Sequence, residues 1–359
     1  MRITIVGGGN IGTQFAVHCA EKNHDVMIYT SAPELYDNHL QIVDECGNVT
    51  HEGDIQKATS DPSIAFTDCD LVIATYPANV MKQAAAAMEP YISSETIIGA
   101  VPGNGGSECV FHRLIERGNT FFLLERVPAV ARIVKKGSIV RATGYRDELH
   151  LAALPKSKAE ECAALISSIF DMKCIVIPGI LNLTMTPSNP ILHTTRLKSM
   201  FEDYQPGVTY ESIPLFYEDW TDQSSELLMK CDDEVQAICR ALPEHHLNFV
   251  KSLRDHYESQ TVEAMTAKIS GISAFRGITT PSVEVNGRYI PDLHSRYFTA
   301  DFSYGLSIIQ QIARFAGVET PNIDEVMDWY QKIAVEKNSF RYADYGITDR
   351  ESFDRFYLN

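Results

Sequence analysis

Three glycines, Gly7, Gly9 and Gly12, stand in the spacing GxGxxG directly after the apolar run Ile3 to Val6. A buried strand that turns tightly into a helix aims backbone amides and the positive helix end at a phosphate group. Gly7, Gly9, Asn10, Ile11 and Gly12 are therefore expected to hold the pyrophosphate of a dinucleotide. A side chain at Gly9 would fill the space through which the backbone approaches it. The chain continues "TQFAVHCAEKNHDVMIY", with Phe15, Ala16 and Cys19 at helical spacing and Val26 to Tyr29 at strand length. That order of strand, turn, helix and strand is the one a dinucleotide fold requires.

The residue at the end of the second strand meets the adenosine ribose, and an acid there favours a free 2'-hydroxyl. Here Thr30 and Ser31 occupy the place. Hydroxyls accommodate a 2'-phosphate without repelling it, so NADP is expected in preference to NAD, although the same residues are also ordinary turn formers. Two further strand ends, Thr75 to Pro77 and Pro102 to Gly106, mark the sheet edge where a nicotinamide and its reacting partner meet. Tyr76 and Pro77 are assigned to the cofactor.

Positioning these residues takes an α/β domain. From Met1 to about Pro178, strand-like runs such as "RITIVG", "DLVIATYP", "TIIGAVPG", "NTFFLLER" and "KCIVIPG" alternate with amphipathic helical segments. The alternation predicts a mostly parallel sheet covered by helices. After about Leu183 apolar residues fall at helical spacing in "NPILHTTRLKSMFEDY", "SSELLMKCDDEVQAICRAL", "LNFVKSLRDHYESQTVEAMTAK" and "SYGLSIIQQIARFAG", segments separated by Pro206, Pro243, Pro281, Pro291 and Pro321, which punctuate helices. The expected organisation is α/β: a Rossmann-type dinucleotide-binding domain over residues 1–182, then an all-α domain over 183–359, with a cleft between them.

Composition excludes several classes. With 359 residues, 45% hydrophobic and 22% charged, the chain has the profile of a globular protein large enough for two domains. A net charge of -16 argues against nucleic acid or an anionic membrane as the main partner. No apolar stretch has spanning length, and a cytoplasmic location is expected. The eight cysteines form no CxxC pair and no zinc spacing, so they read as buried reduced thiols and no metal is expected.

Several separated motifs carry a resemblance. "ERVPAVAR", "TPSNPILHTTR", "PLFYEDWT", "CDDEVQAICRAL", "AFRGITTP" and "RYFTADFSYGLSIIQQIARFAG" follow GGGNIG in order over nearly the whole chain. In this the sequence resembles the octopine and nopaline dehydrogenases, the opine dehydrogenase family. The resemblance implies an NAD(P)H-dependent enzyme that reductively joins the amine of an amino acid to a 2-oxo acid such as pyruvate. It implies His193, in "NPILH", as the acid/base and Asp301, in the "RYFTAD" segment, as its partner. Arg296 then offers a fork for a substrate carboxylate. Arg132 and Asn104 are implied as close to the substrate, although the loop holding Asn104 is one residue shorter than the PGxTGG form of some relatives. A homodimer is compatible with this reading.

The chemistry fits the residue types. Histidine has the side chain closest to neutrality in pKa, and a carboxylate on its other nitrogen fixes the tautomer. Read singly, His193 is an ordinary histidine, Asp301 a helix cap, and Arg296 and Arg132 surface ion-pair partners. Two other functions share the fold. A 2-oxo acid reductase of the ketopantoate reductase type would need a lysine early in the helical domain, where Lys198 is nearest. A nicotinamide-binding sensor would need no acid/base pair.

Overall fold

Ile3, Ile5 and Val6 are fully buried, and this apolar run forms the first strand, β1 (Arg2–Val6), of a twisted sheet. β2 (Asp25–Tyr29) pairs beside it in parallel after the helix α1 (Asn10–Glu21). There follow β3 (His39–Val43), β4 (Val49–Asp54), β5 (Lys57–Thr59), β6 (Leu71–Ala74), β7 (Ile97–Ala100) and β8 (Phe121–Leu124). β9 (Val130–Lys135), β10 (Ile139–Thr143), β11 (Glu148–Leu154) and β12 (Lys173–Val176) complete the α/β half. The order in the main sheet is β12-β11-β8-β7-β6-β1-β2-β5, parallel except where β8 meets β11. Helices cover it, so its central strands are apolar on both faces.

The computed structural model describes residues 1–76, 78–103, 105–186, 188–334 and 339–359. It divides into two units, Met1–Thr184 with Tyr357–Asn359, and Met185–Phe356. Among the described residues no helix is long and apolar enough to cross a membrane.

A second sheet, β4-β3-β10-β9, packs on α1. The alternation of strands and helices up to about Pro178 predicts one mostly parallel sheet, but "KKGSIVRATGY" within it forms β10 of this second sheet, parallel to β3 and antiparallel to β9. β4, with the sequence VTHEGD and mostly exposed, carries almost no apolar signal. Its pairing with β3 holds it in place. The cysteines are all free, but they are not uniformly buried: Cys46 is exposed, and Cys174 and Cys239 are half-buried.

The second unit is helical, as expected, with one addition. Residues Ser282–Val285 and Arg288–Pro291 form an antiparallel hairpin, β13 and β14. Asn286 and Gly287 between them both have positive φ, 53° and 76°, as a two-residue type I' turn requires. The "VNGR" signal for this turn was in the sequence, and Pro281 and Pro291, expected to punctuate helices, bound this hairpin instead. The segment "CDDEVQAICRA" lies on the long helix Asp222–Ala241. Its Glu234 accepts the backbone N–H groups of Asn322 (2.8 Å) and Ile323 (2.9 Å), satisfying free donors at the start of the helix Pro321–Ile333.

One buried carboxyl closes the first unit. Glu108, fully buried, accepts from the hydroxyls of Thr184 (2.8 Å) and Tyr357 (2.6 Å). Those two residues end and resume the chain of this unit on either side of the helical one. Burial raises the pKa of Glu108, so the folded state retains a proton that the unfolded state releases. Stability must therefore fall as pH rises from the unfolded carboxyl pKa through the raised folded one, by up to about 1.4 kcal/mol per unit. Glu108→Gln, a neutral isostere, should lose that slope. Urea unfolding of both proteins from pH 4 to 8 should show the variant gaining on the wild type as pH rises; parallel curves would mean that Glu108 is ionised in the fold.

Candidate active site

The glycine turn has the shape a dinucleotide needs. Gly7 has φ +109°, a left-handed conformation that favours glycine. A Cβ on Gly12 would overlap the Gly7 carbonyl oxygen, so only glycine lets α1 pack this closely on β1. At Gly9 an added Cβ would meet nothing within 4 Å, which leaves open space beside the backbone at the start of α1. These are the features of a pyrophosphate cradle.

The other residues assigned to the cofactor take varied roles. The Asn10 side chain accepts the Ile133 N–H (2.8 Å) and so ties the turn to β9. Ile11 is half-buried against the apolar core. Thr75 donates to the Val6 carbonyl (3.0 Å), and the ring of Tyr76 lies along Gly7. Thr30 is buried and its hydroxyl accepts from the Ala32 amide at 3.5 Å, whereas Ser31 is exposed. Pro77 and Asn104 lie outside the described residues. Tyr36, which sequence reading passed over, donates its hydroxyl to the Gly8 carbonyl and covers that side of the turn. Arg132 is exposed on β9 and donates to the neighbouring Ala131 carbonyl (3.0 Å).

In the helical unit the structure brings His193 and Asp301 together across 108 residues of sequence. His193 lies on the helix Asn189–Met200, and its Nδ1 is 2.8 Å from Oδ2 of Asp301. The carboxylate only accepts, so Nδ1 carries the proton and Nε2 presents the lone pair. Asp301 precedes the π-helical turn Phe302–Leu306 but makes no side-chain cap bond to it, so its carboxylate is committed to the imidazole. Gly305 in that turn sits where a Cβ would press on the ring of Pro190, which lets the turn approach the first turn of the His193 helix. Arg296 is exposed and has no ion-pair partner among the described residues. It is next to Tyr297, whose ring lies 4.4 Å from that of His193.

Two residues without a role in the sequence reading complete the site. Nε2 of His193 is 2.8 Å from the hydroxyl of Tyr217, in the quoted motif "PLFYEDWT". Arg196, one helical turn beyond His193, is buried and donates to the carbonyls of Phe216 (3.0 Å), Leu215 (3.3 Å) and Asp219 (2.6 Å). Burial without a facing carboxylate bond pushes its pKa down to about 10. The signal available in the sequence was an arginine three positions after the histidine, on the same side of one helix. Lys198, by contrast, is held by Glu202 (2.7 Å) and Glu325 (3.2 Å), a structural pairing.

Away from both places, His18, Glu21 and His51 bring ligand atoms within 4.8 Å of one another, a grouping that a search by cysteine spacing does not reach. Burial, then the charge of His51, pushes the His18 pKa down to about 3. Tyr145 occupies its Nε2 (3.1 Å), and Glu21 pairs with His51 (2.9 Å).

Comparison with known proteins follows the same division. A family profile described as NAD/NADP octopine/nopaline dehydrogenase, alpha-helical domain, matches residues 176–334. Another, described as NAD-dependent glycerol-3-phosphate dehydrogenase N-terminus, matches residues 2–104. The sequence is 27% identical to an opine dehydrogenase of Haliotis discus hannai over 371 residues, 92% of this chain and 89% of the relative. The fold is similar to solved octopine dehydrogenase with NADH and L-arginine (TM-score 0.86, 21% identity). It is similar also to the octopine dehydrogenase structure with NADH and pyruvate (TM-score 0.84, 21% identity). Each alignment covers 98% of this chain and 97% of the other. At that identity the likeness is one of fold.

The two glycines should separate binding from folding. Gly9→Val fills open space, so the protein should keep its urea midpoint while losing dinucleotide binding by calorimetry. Gly12→Val drives a side chain into the Gly7 carbonyl and should cost about 1–3 kcal/mol of stability. Unchanged dinucleotide affinity in Gly9→Val would remove this turn from the binding site.

Proposed function

The chain belongs to the opine dehydrogenase family, and from that membership we propose that it reductively condenses the amine of an amino acid with a 2-oxo acid such as pyruvate. The observation that carries the reading is the 2.8 Å pairing of buried His193 with an aspartate that caps nothing. Octopine dehydrogenase, the similar fold, has been solved with L-arginine and with pyruvate, which supports the same two substrate classes here.

Condensation expels water. His193, as imidazolium, gives the proton that the departing oxygen needs, and Asp301 stabilises the imidazolium before that transfer. Arg296 presents two parallel N–H donors to a substrate carboxylate, the group that amino acid and 2-oxo acid share. A bound nicotinamide supplies the hydride that reduces the carbon–nitrogen double bond. In the oxidative direction His193 takes the proton back. Lys198, held by two glutamates, is not available as the acid of a 2-oxo acid reductase.

The assay is nicotinamide oxidation with pyruvate in the presence and absence of an amino-acid panel. Turnover that requires the amino acid is expected; equal turnover without it would assign a 2-oxo acid reductase instead. His193→Ala should lower turnover by about 10²- to 10⁴-fold with dinucleotide affinity retained. Asp301→Asn should also slow turnover, and the double variant should cost far less than the product of the two, because the pair acts as a unit. Near-normal rates in both single variants would sink the mechanism.

We assign NADPH as the preferred reductant on the absence of an acid at the end of β2 and on exposed Ser31 there. Ser31→Asp should weaken NADPH by about tenfold, the ratio set by 1.4 kcal/mol of like-charge repulsion, and spare NADH. Equal NADPH affinity before and after the change would assign the ribose contact elsewhere.

A further inference from the structure

His193 has no free nitrogen. Nδ1 is taken by Asp301, and Nε2, the atom an acid/base would turn to its substrate, is capped by the Tyr217 hydroxyl at 2.8 Å. His193 is 3% and Tyr217 5% exposed, so the phenol lies on the imidazole and is itself enclosed.

The surroundings hold that phenol in place. Its ring stacks on Phe275 at 4.2 Å and 23°, and meets Phe216 edge-on at 4.8 Å. The backbone on both sides is clamped by Arg196, which bonds the carbonyls of Leu215, Phe216 and Asp219 and lies 5.4 Å from the Trp220 ring. Arg196 and His193 share one helix, so the element that carries the imidazole also fixes the loop that caps it. Swinging Tyr217 aside would break the stacking and disturb a buried guanidinium whose bonds run to backbone. A phenol oxygen is both donor and acceptor, and a fixed one on Nε2 can pass a proton without moving.

We infer that the Tyr217 hydroxyl relays the proton between Nε2 of His193 and the substrate, an inference that rests on the reading of His193 as acid/base. In the condensing direction the nitrogen lone pair of the amine–ketone adduct forms the carbon–nitrogen double bond as the C–O bond breaks; the departing hydroxyl takes the Tyr217 proton and leaves as water, and the positive charge passes to the nitrogen. In the same event the Nε2–H bond of the imidazolium breaks and its proton moves to the phenol oxygen. Tyr217 ends neutral, His193 ends neutral, and the proton leaves on the water. The groups facing the phenol agree with this two-proton shift. Burial, then the neighbouring Tyr297, Tyr257 and Asp301, raises the Tyr217 pKa, so a free phenolate is disfavoured and the two protons move together.

The test is Tyr217→Phe, with single-turnover rates in H₂O/D₂O mixtures on the best amino acid from a panel with pyruvate. A relay predicts a bowl-shaped dependence on deuterium fraction in the wild type, for two protons in flight. In Tyr217→Phe the dependence should become linear and the rate should fall by about tenfold or more, with KM and dinucleotide affinity unchanged. Difluorotyrosine at position 217, which restores the hydroxyl, should recover the rate and the curvature; it also serves if the phenylalanine variant misfolds. A linear wild-type dependence, a Tyr217→Phe rate within about twofold of normal, or a slower rate with the curvature retained each overturns the relay. If the wild type reduces pyruvate without an amine, the proposed function fails while the relay is still decided by the same measurement on that reaction. Absence of turnover with every pair overturns both.

Discussion

An imidazole enclosed among aromatic rings must have both nitrogens satisfied, because an orphaned polar atom there costs on the order of 1–3 kcal/mol. His193 meets that requirement with Asp301 on one side and Tyr217 on the other. Much of the helical unit follows from keeping those three groups in register. Asp301 stands immediately before a π-helical turn, and Gly305 lets that turn close on Pro190. Tyr217 arrives on an irregular loop, which by itself would not hold a hydroxyl to within an ångström. Arg196 supplies the rigidity by binding three carbonyls of that loop from the helix that carries His193. The same constraint explains why an arginine is buried here without a carboxylate bond: its guanidinium satisfies backbone acceptors that the loop cannot pair for itself.

The first unit solves a different problem, the close approach of a charged ligand to backbone. Bulk is excluded from Gly7 by its φ and from Gly12 by packing, while the space beside Gly9 is left open. The supports lie at some distance in sequence: Asn10 is tied to β9, Thr75 to the end of β1, and Tyr36 to Gly8. Glu108 adds a buried carboxyl that gathers Thr184 and Tyr357, so the last residues of the chain belong to the unit in which it began. Each unit thus uses the hydrogen bonds of a buried polar side chain, Glu108 in the first and Arg196 in the second, to fix segments far apart in sequence. Buried polar groups of this kind specify geometry because misplacing any partner leaves an unsatisfied atom.

Local patterns were legible in the sequence where one physical signal dominated. Apolar runs bounded by turn residues marked β1, β2, β6, β7 and β8, because strands buried on both faces need continuous hydrophobicity. The edge strand β12 was marked by its short β-branched run. The glycine spacing marked the cradle, because Gly7 and Gly12 have no room for a side chain and the bare backbone at Gly9 leaves open space beside it. The helical spacing marked the second unit. Short polar strands such as β4 were invisible, since their partners rather than their own composition stabilise them. The hairpin β13–β14 was missed although Val283 and Val285 alternate about Glu284 and Asn286-Gly287 marks the turn, because Pro281 and Pro291 on either side also read as breaks between helices.

The candidate site divides in the same way. Residue types and motif order pointed to His193, Asp301 and Arg296, and the sequence left open whether Asp301 was a cap or a partner. Only the tertiary structure decided it, by directing the carboxylate at Nδ1 and leaving the following turn uncapped. Tyr217 and Arg196 also lay in quoted motifs without a role, because a hydrogen bond across 24 residues has no period and no spacing to read. The sequence by itself determined the two classes of structure and the chemical identity of the groups, since local propensity and side-chain chemistry are written residue by residue. Which nitrogen faces which oxygen was settled by packing, because it depends on the summed shape of helices and loops that meet only when the chain has folded.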